Sequence, residues 1–134
     1  MAEETFSDLG RVEAIAKLYE GTPYKPFQSS WFETESKSCV TSHSRTFMEG
    51  IDFDLIYFPL KHLGYKAVVV GVSDILAMNA LPEQVMISLG VSSKLPVEAL
   101  DDLYEGIKFA CDELGVDMVG GDTTASINGL VINI

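Results

Sequence analysis

The strongest constraint on the fold is one amphipathic helix, predicted between Pro96 and Gly115. Apolar side chains recur along it at helical spacing, and carboxylates occupy the opposite face. The apolar face consists of Val97, Leu100, Leu103, Tyr104, Ile107, Cys111 and Leu114. Proline commonly opens a helix and glycine commonly ends one, so the sequence predicts both boundaries. A helix with one apolar face must pack on other elements, which the rest of the chain has to supply.

The segments on either side of this helix predict a small sheet. Strand patterns occupy 83–91, 116–119 and 130–134, and a weaker one covers 40–47. A second helix is predicted from Pro59, with an apolar buried stretch continuing over 70–80. A short helix is predicted over 6–19 and a loop over 21–38. We therefore expect an α+β fold in a single domain over 1–134, with helices on one face of a small mixed or antiparallel sheet.

Charge and apolar content limit the classes of ligand and location. The 134 residues include 20 acidic and 9 basic side chains, for a net charge of -11. Such a surface repels phosphate backbones, which excludes nucleic acid and anionic membranes as partners, and an anionic substrate would need a metal ion.

The acidic N-terminus does not resemble a signal peptide, and no apolar run could span a bilayer. We expect a cytoplasmic protein with Cys39 and Cys111 as free thiols, Cys111 on the buried helix face.

The segment Gly120-Gly121-Asp122-Thr123-Thr124 between two predicted strands is the strongest local signal for a binding site. Glycines allow the backbone to approach a ligand closely, and a carboxylate is a ligand suited to Mg²⁺. The hydroxyl groups could reach phosphate oxygens. The alternative is a tight turn in which Asp122 caps its own backbone.

Asp74 is the second candidate, because its apolar neighbours predict burial and a buried carboxylate needs a cation or hydrogen-bond donors. The alternative is that Ser73 or Asp74 is the N-cap of a helix running to Ala80. His43 and His62 have no metal-binding partner at short spacing, which favours surface or structural roles for both.

Three stretches in this order resemble thiamine-monophosphate kinase, within the wider superfamily that includes aminoimidazole ribonucleotide synthetase. They are Pro59-Leu60-Lys61-His62-Leu63-Gly64-Tyr65-Lys66-Ala67-Val68-Val69-Val70, then Ser73-Asp74-Ile75-Leu76-Ala77-Met78-Asn79-Ala80, and then Gly120-Gly121-Asp122-Thr123-Thr124. The resemblance runs from about Glu49 to Ile134 and corresponds to the family's N-terminal, ATP-binding domain. The family's C-terminal domain, which completes the nucleotide site, has no counterpart in these residues.

The resemblance implies a phosphoryl transfer from ATP to thiamine monophosphate, giving thiamine diphosphate, with magnesium ions between aspartates and phosphates. By this resemblance, Asp74 and Asp122 would be magnesium ligands, and Gly120, Gly121 and Thr123 would line the phosphate site. It also implies a homodimer in which the sheets of two copies close a barrel.

Several positions depart from the family's pattern. Residues 24–38 contain no aspartate where the family has Gly-Asp-Asp, and Ser44-Arg45 stands in place of Thr-Asp. Asp52 replaces a histidine associated with the substrate site, and Gly71 replaces an asparagine. An arginine cannot ligate magnesium, although Arg45 could stand in a metal's place as a fixed cation. The site is therefore predicted to be degenerate. Two interpretations follow: an impaired kinase domain, or a non-catalytic dimerisation or interaction domain that kept the fold and lost the magnesium site.

Overall fold

The computed structural model describes residues 5–22, 29–33 and 39–134. The elements, in chain order, are α1 (Phe6–Leu9), α2 (Arg11–Leu18), β1 (Ser29–Glu33), β2 (Cys39–His43), β3 (Thr46–Met48), α3 (Leu60–Ala77), β4 (Gln84–Ser92), α4 (Val97–Leu114), β5 (Asp117–Ser126) and β6 (Val131–Asn133). Strands β1 and β2 pair with each other, and the other strands form a four-stranded sheet of order β3-β6-β4-β5. Strands β4 and β5 are parallel, whereas β6 is antiparallel to β3 and β4. The predicted α+β class with a mixed sheet is confirmed.

The core lies between one face of the four-stranded sheet and the two long helices. Buried and exposed side chains alternate along β3 and β6, as expected for strands with one face covered. The main buried side chains are Phe47, Ile87, Leu89 and Ile132 from the strands and Leu63, Val68, Leu103 and Ile107 from the helices. Strand β5 is the exception, because nearly all of it is exposed.

The two long helices approach each other closely at a pair of glycines. A Cβ atom on Gly64 of α3 would overlap the backbone carbonyl oxygen of Leu103. A Cβ atom on Gly106 of α4 would likewise overlap the carbonyl oxygen of Lys61. The backbones can touch here because neither glycine has a side chain, and this contact fixes how α3 crosses α4.

Helix α4 agrees closely with its sequence pattern. It covers Val97–Leu114, and Gly115 follows in the left-handed conformation with φ 64° and ψ 38°. Cys111 is buried, as predicted, whereas Val97 at the first turn is exposed. No helix in the described part of the chain has the length and apolar character needed to cross a membrane.

Four predicted segments differ from the structure, in addition to the strand predicted over 116–119, which extends to Ser126 as β5. The helix over 6–19 is two helices, separated at Gly10 with φ 75°. Part of the predicted loop is strand β1, which pairs with β2. Residues 23–28 and 34–38 of that loop lie outside the described residues. The 40–47 pattern divides into β2 and β3, which belong to different sheets. The predicted buried stretch 70–80 is the second half of α3, and its end is exposed at Leu76 and Met78.

Candidate functional site

The glycine-rich segment lies in the middle of a strand and does not form the predicted tight turn. Strand β5 runs without interruption through Gly120, Gly121, Asp122 and Thr123, parallel to β4. One part of the turn interpretation holds, because the Thr123 backbone N–H donates a hydrogen bond of 2.8 Å to Asp122 Oδ1. The segment is extended because a neighbouring strand pairs with every one of these residues, which local sequence alone does not reveal.

A β-bulge shapes β5 immediately before the glycines. Val85 pairs with Met118 and Met86 pairs with Gly120, which leaves Val119 as an extra residue. Bulges change the direction of a strand and often lie beside functional sites. A Cβ atom on Gly121 would overlap the carbonyl oxygen of Ile87, so only glycine allows β5 to approach β4 here.

The same segment lines an open groove of about 540 Å³ beside α4. The lining residues are Ile87, Tyr104, Met118, Val119, Gly120, Gly121, Asp122 and Thr123. The groove therefore combines an exposed carboxylate, a hydroxyl group and glycine backbone with apolar side chains and one aromatic ring. Apolar walls with a few polar groups are typical of small-molecule sites. All four residues predicted at the phosphate site are brought together here.

Asp74 is not at a helix start, so the alternative in which Ser73 or Asp74 is an N-cap is wrong. It lies in the last turn of α3, which begins at Leu60. Asp74 Oδ2 is 2.7 Å from His43 Nε2, a distance typical of an ion pair. The two side chains are 22% and 7% exposed, respectively. His43 therefore makes a largely buried contact between β2 and α3, whereas His62 is exposed at the surface.

Arg45 and Asp52, which differ from the family's pattern, both contact neighbouring parts of the protein. Arg45 exchanges backbone hydrogen bonds with Ile134 at 2.7 and 2.9 Å, and its guanidinium lies 5.8 Å from the Phe47 ring centroid. The Asp52 carboxylate accepts a hydrogen bond of 2.8 Å from the Met48 N–H. The basic side chain beside Asp74 is thus His43 and not Arg45.

The donor set offers little to a magnesium ion. Mg²⁺ binds oxygen ligands in octahedral geometry and commonly uses one or two carboxylates together with phosphates and water. Within residues 5–22, 29–33 and 39–134, no group of three or more His, Cys, Asp or Glu side chains could hold a metal ion. Asp122 fits as a single carboxylate ligand in the groove. Asp74 does not line the groove, and one of its oxygens contacts an imidazole.

Comparison with known proteins agrees with this geometry. A sequence model described as "AIR synthase related protein, N-terminal domain" matches residues 29–134. The chain belongs to this family. Within the AIR synthase related family it is homologous to thiamine-monophosphate kinases. That of Bacillus subtilis is 35% identical over 89 residues, which is 66% of this chain and 27% of the relative. That of Prochlorococcus marinus is 31% identical over 123 residues, which is 90% of this chain and 37% of the relative.

A solved structure of AaThiL complexed with AMPPCP and TMP has the same fold over nearly the whole chain. The TM-score is 0.90 at 26% identity, covering 99% of this chain and 43% of that chain. This chain therefore spans less than half the length of the relatives it matches. It corresponds to their N-terminal part, and the resemblance to thiamine-monophosphate kinase seen in the sequence is confirmed.

Sequence reasoning missed two features of the site. Tyr104 was assigned to the core face of α4, yet it is half-buried and lines the groove. The contact between His43 and Asp74 was not foreseen, because the two residues are distant in sequence. The alternation of β2 does place Thr41 and His43 on one face, which was the available signal that His43 points inward.

Proposed function

We propose that this chain is the nucleotide-binding part of a thiamine-monophosphate kinase, acting on ATP and thiamine monophosphate in the cytoplasm. The observation that carries the proposal is the groove along β5, where the Gly120–Thr123 segment lies in a chain homologous to those kinases. Catalysis of phosphoryl transfer depends mainly on positioning and on neutralising charge. The relatives extend well beyond the span matched here, so complete turnover is expected to need residues outside these 134.

Each residue of the segment has a role in this proposal. The backbone at Gly120 and Gly121 and the hydroxyl of Thr123 would bind phosphate oxygens, and Asp122 would bind magnesium. A bound magnesium ion would neutralise phosphate charge, since no lysine or arginine is among the described residues that line the groove. Asp74 remains a predicted second ligand, and its contact with His43 competes with that role.

A homodimer is part of the same proposal. Strand β5 is at the edge of the four-stranded sheet, where its outer backbone groups have no partner strand within the described chain. Exposed strand edges tend to pair with another chain. We propose that the sheets of two copies join in this way and close a barrel, as the resemblance implies.

A second candidate function is a non-catalytic dimerisation or interaction domain. The contact between Asp74 and His43 favours it, because a carboxylate held by an imidazole is less available to a metal ion. Arg45 in place of a metal-binding residue points the same way. Both candidates use the same fold and dimer, and they differ in whether the groove binds a magnesium nucleotide.

Calorimetric titration with a non-hydrolysable ATP analogue, with and without magnesium, separates the two candidates. The kinase proposal expects magnesium-dependent binding that Asp122→Asn weakens at least about tenfold, since affinity for the ion follows ligand charge and count. Asp117→Asn is the matched control: it removes an equally exposed carboxylate of β5 that does not line the groove. A folded chain that binds no nucleotide under either condition would instead support the non-catalytic domain.

A further inference from the structure

Asp74 lies where a carboxylate needs a cation from elsewhere in the fold. It is in the last turn of α3, and the carbonyl ends of a helix carry partial negative charge that disfavours an anion. The last turn of α3 contains no basic residue. A positive charge close to Asp74 would therefore be stabilised both by its carboxylate and by the end of the helix.

His43 of β2 is the residue in that position. Its Nε2 is 2.7 Å from Asp74 Oδ2, and its side chain is 7% exposed. The contact is shielded from water, and loss of one partner would leave a buried polar group behind. The geometry is that of a fixed contact between a strand and a helix.

The contact also joins two parts of the fold. Strand β2 belongs to the two-stranded β1–β2 sheet, which is separate from the four-stranded sheet, and it packs against α3. On the same face of β2, Thr41 Oγ1 is buried and has no hydrogen-bond partner among the described residues. The contact of His43 with Asp74 is a polar link between β2 and α3 at this face.

We propose that His43 occupies the place of a metal ion beside Asp74. The imidazole fills the space next to the carboxylate, ties β2 to α3, and removes Asp74 from the ligands available to magnesium. Magnesium is a poor competitor here, because it prefers oxygen ligands and would have to displace the imidazole from a shielded contact. This inference is independent of nucleotide binding, and its experiments contain no nucleotide.

Thermal unfolding in EDTA and in excess magnesium tests the proposal. With Asp122→Asn as the background, so that the groove carboxylate cannot bind the ion, the melting temperature is expected to be the same in both. His43→Ala and Asp74→Asn should each lower it by about 5–10 °C, and the double variant should cost no more than the larger single loss. Magnesium should then raise the melting temperature of His43→Ala, because the imidazole no longer contacts Asp74 and the carboxylate can bind the ion. His62→Ala, which removes the exposed imidazole of α3, should behave like the parent chain.

Nuclear magnetic resonance of the imidazole provides a second measurement that does not depend on a destabilised variant. The chain has 2 histidines, so His62→Asn leaves His43 as the one imidazole signal. Addition of magnesium should leave that signal unshifted. A magnesium-dependent shift of that signal, or a rise in melting temperature with magnesium that persists when Asp122 is replaced by asparagine, would mean that the ion reaches Asp74 and would overturn the proposal. If His43→Ala does not fold, this measurement alone decides.

Discussion

At the scale of single residues, close backbone approach explains why glycine is needed at one position of the groove. A Cβ atom on Gly121 would overlap the Ile87 carbonyl oxygen, whereas a Cβ atom on Gly90 would meet ordinary contacts, the nearest being Val131 Cβ at 3.4 Å. The sequence reasoning correctly assigned a backbone role to the glycine pair. It could not identify the atom that Gly121 approaches, because the Ile87 carbonyl belongs to another strand.

Gly121→Ala is therefore expected to be much more damaging than Gly90→Ala. The added methyl group must move β5 away from β4, which we expect to lower the free energy of unfolding by about 2–3 kcal/mol. Gly90→Ala, in the adjacent strand, should change it by less than about 1 kcal/mol. Urea unfolding of both variants measures the difference. Equal losses would show that the space around Gly121 is not what requires glycine.

The two thiols differ in burial and so should differ in reactivity. Burial raises the pKa of the Cys111 thiol, with smaller contributions from the charges of Asp112 and Asp117, whereas Cys39 is exposed. The thiolate is the reactive form, so a folded chain at neutral pH should react with a thiol reagent at Cys39 and not at Cys111. Cys39→Ser should accordingly show no labelling until denaturant is added. Rapid labelling of that variant under native conditions would contradict the buried position of Cys111.

At the scale of elements, local signals predicted α4 well and β5 poorly. The boundaries of α4 depend on proline, glycine and an apolar face, which all lie within the helix or next to it. Strand β5 contains two adjacent glycines, which favour a turn when considered alone, and its extended form depends on pairing with β4. Likewise β1 has five residues and forms through pairing with β2, a partner that its own sequence does not reveal. Prediction failed where the deciding contact is made with another element.

The contact between α3 and α4 leads to a prediction about two glycines of the same helix. Gly64→Ala should lower the free energy of unfolding by about 3 kcal/mol, because its methyl group would overlap the rigid backbone of Leu103. Gly71→Ala should change it by no more than about 1 kcal/mol, since a gain in helix propensity offsets a contact with one side chain. That contact is with Ile134 Cγ2 at 3.2 Å. Chemical denaturation of both variants is the measurement, and a similar cost for the two would mean that the helices can separate freely at Gly64.

At the scale of the whole molecule, the sequence was informative about chemistry and less so about geometry. Asp122 and its glycine neighbours were identified from composition and order, and they do share one groove. Asp74 is a carboxylate that the sequence predicts to need a partner, and it contacts His43 at 2.7 Å. Which residue meets Asp74 depends on how β2 packs against α3, a long-range contact with no local signature.

The face of the sheet away from the helices also bears on the proposed association of two copies. Met48 and Met86 adjoin the buried Phe47 and Ile87 along their strands, so they lie on the opposite face, where they are 44% and 63% exposed. Closing a barrel across two copies would place this face in the interior and remove both methionines from water. Light scattering after gel filtration should then give twice the 14.6 kDa chain mass.

Met86→Lys should shift this equilibrium toward the single chain without destabilising it. The new charge would be buried in the closed barrel but solvated in the free chain, so the cost falls on association alone. Ile56→Lys, at a position 81% exposed in the segment before α3, is the matched control and should leave the dimer intact. A parent chain that elutes as a monomer at micromolar concentration, or a Met86→Lys variant that remains dimeric, would exclude this face as the interior of a barrel. Any dimer would then have to form through the edge of β5 alone.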